Sequence, residues 1–227
     1  MTLQDLPLFD GHNDSLTRFH KTADGEVSGF LRENPDGHMD LPRARRAGLI
    51  GGLFAINAPN RLAGIVDPEE PEHDDGSAYR FELSPPLDHE LALGYTREII
   101  TGAEKLTARS GGRLSIVRDS DSLENCIRSG RFAMVLHLEG AEAVSENLDN
   151  LDELYDLGVR SIGPVWSRPN CFGHGVPFAW PESPDTGPGL TEAGKELVKA
   201  LNRKGILLDL SHLNEKGFWD VARLTAA

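Results

Sequence analysis

The chain has 227 residues, 39% hydrophobic and 26% charged, an ordinary globular composition large enough for one sizeable core. Its 36 acidic against 23 basic residues give a formal charge of −13, which argues against a nucleic-acid partner, whose phosphates nothing here would neutralise, and against an anionic membrane surface. No apolar run is long enough to span a bilayer, Met1-Thr2-Leu3-Gln4-Asp5 lacks the parts of a signal peptide, and two cysteines, Cys126 and Cys171, fit a reducing, cytoplasmic compartment.

Apolar, strand-like runs recur at 8–14, 52–58, 132–138, 159–166 and 206–210. Most are continuous in apolar residues, the pattern of strands buried on both faces. Between them, Leu91, Tyr95, Ile99 and Leu106 share one face of a long helix expected over 87–109. Asp121-Ser122-Leu123-Glu124 has capping-box spacing, with Asp in place of Ser or Thr, and predicts a short helix ending by Gly130. Leu148, Leu151, Leu154 and Tyr155 mark another helix, stopped by Gly158. Thr191 is placed to cap a helix running to Gly205, with Leu197, Val198 and Leu201 inward. A last helix follows His212, around Phe218, Val221 and Leu224.

This alternation predicts an α/β fold, a parallel sheet with helical crossovers. Two loops are long. Residues 59–86 carry Asp67, Glu69, Glu70, Glu72, Asp74 and Asp75 among prolines, and read as a solvated excursion or as a lid or subunit contact. Residues 170–189 are rich in Gly and Pro. A closed (β/α) barrel needs eight strands and about five are evident, so the expectation is an open sheet or the N-terminal portion of a longer chain.

Four residues share a property. His12 and Asp14 end the first strand, two positions apart and so on one face. Glu139 ends the run 132–138, and His212 follows the run 206–210. In parallel α/β folds the carboxyl edge of the sheet is where sites assemble. Two histidines and two carboxylates converging there suit a divalent metal centre, and a carboxylate such as Glu139 can bridge two ions. Read singly, each has a plainer role: a hydrogen-bonded histidine, a helix cap at Asp14, an arginine partner at Glu139. His137 lies two residues before Glu139, on the same face. His20, His38, His73 and His89 fall in loops or near helix starts and read as non-ligands. Cys171 has no histidine partner that would make it a nucleophile, and Gly51-Gly52 and Gly111-Gly112 lack phosphate-binding spacing.

Asp10-Gly11-His12-Asn13-Asp14 resembles the opening motif of the membrane (renal) dipeptidases, zinc dipeptidases among the amidohydrolase-like barrels. Further stretches resemble that family in the same order: Asp40-Leu41-Pro42, Ala47-Gly48, Gly51-Gly52, Leu138-Glu139-Gly140, Leu157-Gly158-Val159-Arg160, Leu190-Thr191 with Gly194, Leu201-Asn202 with Gly205, and Asp209-Leu210-Ser211-His212. The ordered set spans nearly the whole chain. The resemblance implies a (β/α)8 TIM-type barrel of which this chain holds about the first five β/α units, in a single hydrolase domain over 1–227 that is incomplete at its C-terminus.

It also implies two zinc ions. His12 and Asp14 would bind one, Glu139 would bridge both, and His212 would bind the other. The implied reaction is hydrolysis of a dipeptide's peptide bond, with Glu139 in the catalytic centre, D-residues tolerated at the C-terminal side, and often a homodimer. The family's second histidine on the second zinc, its substrate-carboxylate arginine and its proton-handling aspartate belong after the next strand and have no counterpart here. Where animal members have a histidine after the fourth strand, this sequence has Trp166, as in the bacterial branch. Trp166 is thus a candidate pocket wall or rim-packing residue, and His174 a candidate replacement imidazole. The competing readings are another amidohydrolase, acting on an N-acyl D-amino acid or a cyclic amide, and a non-catalytic metal-binding fragment.

Overall fold

The structure is a computed structural model and describes residues 7–17, 27–35, 37–66, 73–74 and 76–225. His20, Asp67, Glu69, Glu70, Glu72 and Asp75 lie outside the described residues. In chain order the elements are β1 (Leu8–Asn13), α1 (Leu41–Arg46), β2 (Leu49–Ile56), β3 (His73–Asp74), β4 (Tyr79–Phe81), α2 (His89–Arg109), β5 (Leu114–Ile116), α3 (Ser120–Ser129), β6 (Phe132–Glu139), α4 (Leu151–Asp156), β7 (Val159–Gly163), β8 (Phe178–Trp180), α5 (Glu192–Lys204), β9 (Leu207–Leu208) and α6 (Glu215–Leu224). The main sheet runs β1-β2-β6-β7-β9, with β5 beside β6, and the β1–β2 and β5–β6 pairs are parallel. Sequential strands joined through helices are the connectivity of a (β/α) barrel, as expected. Among the described residues, no helix is long and apolar enough to cross a membrane.

The chain packs as two compact units. The first comprises Met1–Ile56, Thr96–His137 and Tyr155–Ser161. In its core the rings of Phe30, Phe54 and Phe132 meet edge to face at 5.7–6.2 Å, and Leu16 and Leu41 are fully buried. Gly51 shows why a side chain fails on β2: a Cβ there would fall 2.6 Å from the Ala133 carbonyl on β6 and 2.8 Å from the Phe9 ring on β1. Gly51-Gly52 is therefore a packing device that lets three strands approach closely.

The second unit comprises Asn57–Tyr95, Leu138–Leu154 and Ile162–Ala227. Val165, Leu190, Val198, Leu213 and Val221 form a core cluster beneath α5 and α6. Thr191 caps α5 by accepting from the Gly194 amide, and Gly205 ends it with φ of 66°, as the sequence predicts. A three-stranded antiparallel sheet, β3-β4-β8, draws the long loops 59–86 and 170–189 together through Arg80↔Ala179 and Phe81↔Phe178.

Several expectations need correction. The cap of α3 is Asp119, not Asp121: its carboxylate accepts from the Ser122 amide at 2.7 Å, and Ser122 Oγ reaches back to the Asp119 amide at 3.1 Å. Ser122 is short enough to close the box that Glu124 was expected to close. The strand at 159–166 stops at Gly163, which leaves Trp166 in the following loop. The last strand shortens to Leu207–Leu208. Strand β1 is not buried on both faces, since Leu8 and Phe9 are 50% and 41% exposed. Five elements escape the apolar pattern, namely α1, β5 and the three strands of the small sheet.

Helix α1 depends on one buried carboxylate. Asp40 is its N-cap, accepting from the Arg43 amide at 2.8 Å, the Arg43 Nε at 2.5 Å and the Asn34 amide at 3.1 Å. Burial works to raise its pKa, but these donors together hold it below the usual carboxylate range. A depressed pKa makes ionised Asp40 stabilising above the ordinary Asp value of about 4, and that contribution is lost as pH falls through the lower folded value. Asp40→Ala should cost about 1–3 kcal/mol at pH 7, read as a lowered urea midpoint, with the gap to wild type narrowing in acid. An unchanged midpoint at pH 7 would remove Asp40 from this role.

Candidate metal centre

In the first unit, His12 is the penultimate residue of β1 and Asp14 follows its last. Asn13, between them, fixes the strand end: its Nδ2 donates to Asp10 Oδ2 at 2.8 Å and to the Leu53 carbonyl at 3.1 Å. The chain then turns, with the Thr17 amide donating to the Asp14 carbonyl at 3.1 Å. His12 Nε2 and Asp14 Oδ1 stand 3.6 Å apart, with side chains 37% and 63% exposed. They border a cavity of about 440 Å³ that Gly37, His38 and Met39 also line. The buried ring of His137 packs edge-on to His12 at 5.8 Å, and Ser161 Oγ lies 2.9 Å from its Nδ1.

In the second unit, Glu139 ends β6 and His212 sits in the turn after β9. His212 Nε2 is 3.1 Å from Glu139 Oε1, and its Nδ1 is 3.1 Å from the Oγ of fully buried Ser167. Asn57 Nδ2 donates to Glu139 Oε2 at 3.3 Å and to its carbonyl at 3.2 Å. The backbone of His212 is left-handed, with φ of 69°, a conformation uncommon outside glycine. The Val176 amide holds the His212 carbonyl at 2.8 Å, and the Asn214 amide donates to the His174 carbonyl at 3.3 Å. His174 is therefore on the loop that pairs with the His212 turn. Its Nδ1 is buried and receives no hydrogen bond among the described residues.

Trp166 lies in the same unit, half-buried, its ring 5.9 Å from that of His212 and 5.2 Å from that of Phe178. Thus Asp14 stands with His12, and His212 with Glu139, Trp166 and the His174 loop. His89 is structural, its Nδ1 3.1 Å from the Glu142 carbonyl.

Arg168 is a further residue of the second unit, one that no sequence motif marks. Its side chain and that of Glu142 are 1% and 2% exposed and pair at 2.9 Å. Arg168 also donates to Asn60 Oδ1 and, at 3.1 Å, to the Ala58 carbonyl. Burial raises the Glu142 pKa and the Arg168 guanidinium opposes that rise. Gly140 lies between Glu139 and this pair with φ of 93°, where a Cβ would collide with Glu142 Oε2. An arginine in a loop rich in Gly and Pro carries no sequence mark of burial.

The profile of the membrane dipeptidase family, peptidase family M19, matches residues 1–227. The chain belongs to the membrane dipeptidase family. A protein encoded in the PQQ-III 3′ region of Acinetobacter calcoaceticus is 38% identical over 221 residues, which cover 97% of this chain and 68% of that protein. The crystal structure of dipeptidase AC, a family M19 metallopeptidase, superposes with a TM-score of 0.86 at 42% identity, covering 97% of this chain and 60% of that one. A metallopeptidase from Rhodobacter sphaeroides, liganded with a phosphinate mimic of the dipeptide L-Ala-D-Ala, gives a TM-score of 0.87 at 41% identity over 98% of this chain and 63% of that one. The chain therefore spans 60–68% of the length of these relatives.

Cys171 offers a test of the electrostatics in the second unit. Burial first, then the carboxylates of Glu146 and Glu142, push its thiol up to about 11. Its thiolate fraction at pH 8 is then about 0.1%, against roughly a quarter for an ordinary cysteine. Alkylation of Cys171 by iodoacetamide at pH 8 should run at least about tenfold slower than that of glutathione, followed by mass spectrometry. An equal rate would contradict the raised pKa.

Proposed function

We propose that the protein containing this chain is a metal-dependent dipeptidase that hydrolyses the peptide bond of dipeptides. The observation that carries the reading is the same pairing in each unit: a histidine Nε2 set against a carboxylate oxygen, His12 with Asp14 and His212 with Glu139. Neutral imidazole and ionised carboxylate are the donors of hydrolytic zinc sites, so these residues fit the group. His12 and Asp14 are assigned to one divalent ion, His212 to a second, and Glu139 to both.

A divalent metal held by these residues would supply Lewis-acid polarisation of the scissile carbonyl and a water of lowered pKa. The chain's own groups prepare the ligands. Asn57 orients Glu139 through Oε2, and Ser167 at Nδ1 leaves Nε2 as the nitrogen that His212 offers. Trp166, beside His212, is read as a wall of the substrate pocket, and His174 as a further substrate contact. The dipeptide mimic carried by the Rhodobacter neighbour supports a dipeptide substrate with a D-residue at its C-terminal side.

The full-length protein should hydrolyse a panel of L,L- and L,D-dipeptides, lose that activity to a chelator and regain it with zinc. Full activity in a metal-free preparation would overturn the proposal, and turnover confined to N-acyl D-amino acids or cyclic amides would replace it with the other amidohydrolase reading. Glu139→Gln should lower both bound metal and kcat/KM, the latter by about a hundredfold or more. Wild-type turnover in that variant would refute the role given to Glu139.

A further inference from the structure

The second unit contains a pocket that the ligand geometry does not use. Its volume is about 140 Å³, the scale of one amino-acid side chain, and it is lined by Trp166, Phe178, Phe81 and Leu83, with Ser84, buried Asn60 and exposed Glu82. Phe81 and Phe178 are register partners on β4 and β8, so their side chains leave the same face of the small sheet. The Trp166 ring meets that of Phe178 at 68°, edge to face, and on another side approaches the ring of His212. One lining residue of the pocket, Trp166, therefore also stands beside a proposed metal ligand.

Among the described residues, the polar groups of the lining divide into those already occupied and Glu82. Asn60 Nδ2 donates to Ser84 Oγ at 2.8 Å, and Asn60 Oδ1 accepts from buried Arg168. Both are spent holding the wall. Arg168 lies 5.9 Å from the Trp166 ring, but its charge is matched by Glu142. Glu82 is exposed and, among the described residues, makes no hydrogen bond or ion pair. Aromatic rings present negative faces, and a free carboxylate beside them adds to the same field. Such a lining repels an anionic side chain, accepts an aliphatic one, and favours a cation whose methylene stem lies on the rings.

We infer that this pocket is a specificity subsite for a cationic side chain, lysine-like or arginine-like, on one residue of the dipeptide, with Trp166, Phe81 and Phe178 receiving the stem and Glu82 the charge. The inference rests on the dipeptidase reading above and adds the class of substrate.

The test compares kcat/KM of the full-length, zinc-loaded protein on dipeptides matched in shape: lysine against norleucine, and arginine against citrulline, at each position in turn. Lysine should exceed norleucine by about fivefold to thirtyfold at one position, the sum of a cation–π contact and an exposed charge pair. Glu82→Gln should pull that ratio toward one, mainly through KM, and raising ionic strength should lower it in wild type. Phe178→Ala should lower kcat/KM for lysine and norleucine alike, because both use the rings. A ratio near one in wild type, or one that Glu82→Gln leaves unchanged, overturns the subsite while dipeptide hydrolysis stands. Hydrolysis of no dipeptide in the set overturns the dipeptidase reading, and the subsite with it.

Discussion

A guanidinium sealed from water must find acceptors inside the protein, and Arg168 finds its acceptors on two separate stretches of chain, tying its own stretch to both. Ala58 and Asn60 approach from one side and Glu142 from another, while Arg168 itself follows directly after Ser167. Taking two such ions out of water costs several kcal/mol each, so the pair is poor evidence of net stability. Its effect is geometric. Each stretch held by Arg168 also carries a residue of the second unit's site: Asn57 beside Ala58, Glu139 before Glu142, Trp166 and Ser167 before Arg168. A shift of any one stretch would leave a buried charge short of an acceptor, a penalty far larger than the gain from a looser loop. The Glu139–His212 contact and the Trp166 pocket therefore share one rigid support.

The two imidazole–carboxylate pairs differ in their surroundings. His12 and Asp14 stand open to solvent beside a wide cavity, where water screens charge and a hydrated ion can approach. Glu139 and His212 are 10% and 25% exposed, with Asn57 and Ser167 occupying their remaining polar atoms. In that drier setting each hydrogen bond counts for more and each misplaced donor costs more. Precision in the second pair thus comes from neighbouring side chains, and in the first from the backbone turn pinned by Asn13.

The readable part of the sequence was the part governed by periodicity and by strand ends. Strands at 8–14 and 132–138, the helix from Thr191 to Gly205, and the carboxyl-edge positions of His12, Asp14, Glu139 and His212 all follow from local pattern, and all four residues lie at or just past strand ends in the structure. What escaped depends on contacts distant along the chain. The β3-β4-β8 sheet forms because residues 79–81 meet residues 178–180, a pairing that no window of a dozen residues contains. Strand β5, only Leu114–Ile116, is too short for an alternation to show. The capping error at Asp121 was local: two aspartates stand two apart, and only the partner at the third helical position tells them apart. The family resemblance could be read from ordered motifs because each marks a tight constraint, as Gly51 does between β1 and β6.

His212 shows how such constraints combine at one residue. A left-handed backbone at a non-glycine costs on the order of 1–2 kcal/mol, and it persists only where the surroundings overdetermine it. Here the Val176 amide takes its carbonyl, the bridge between Gly175 and Leu213 holds the next residue, and Leu213 is anchored in the core cluster with Val165 and Val221. On the side-chain end, Ser167 fixes Nδ1. An ordinary right-handed turn would relieve the strain and turn the imidazole away from Glu139. The strain is therefore the consequence of holding Nε2 at one place, against Glu139 Oε1 at the carboxyl edge of the sheet.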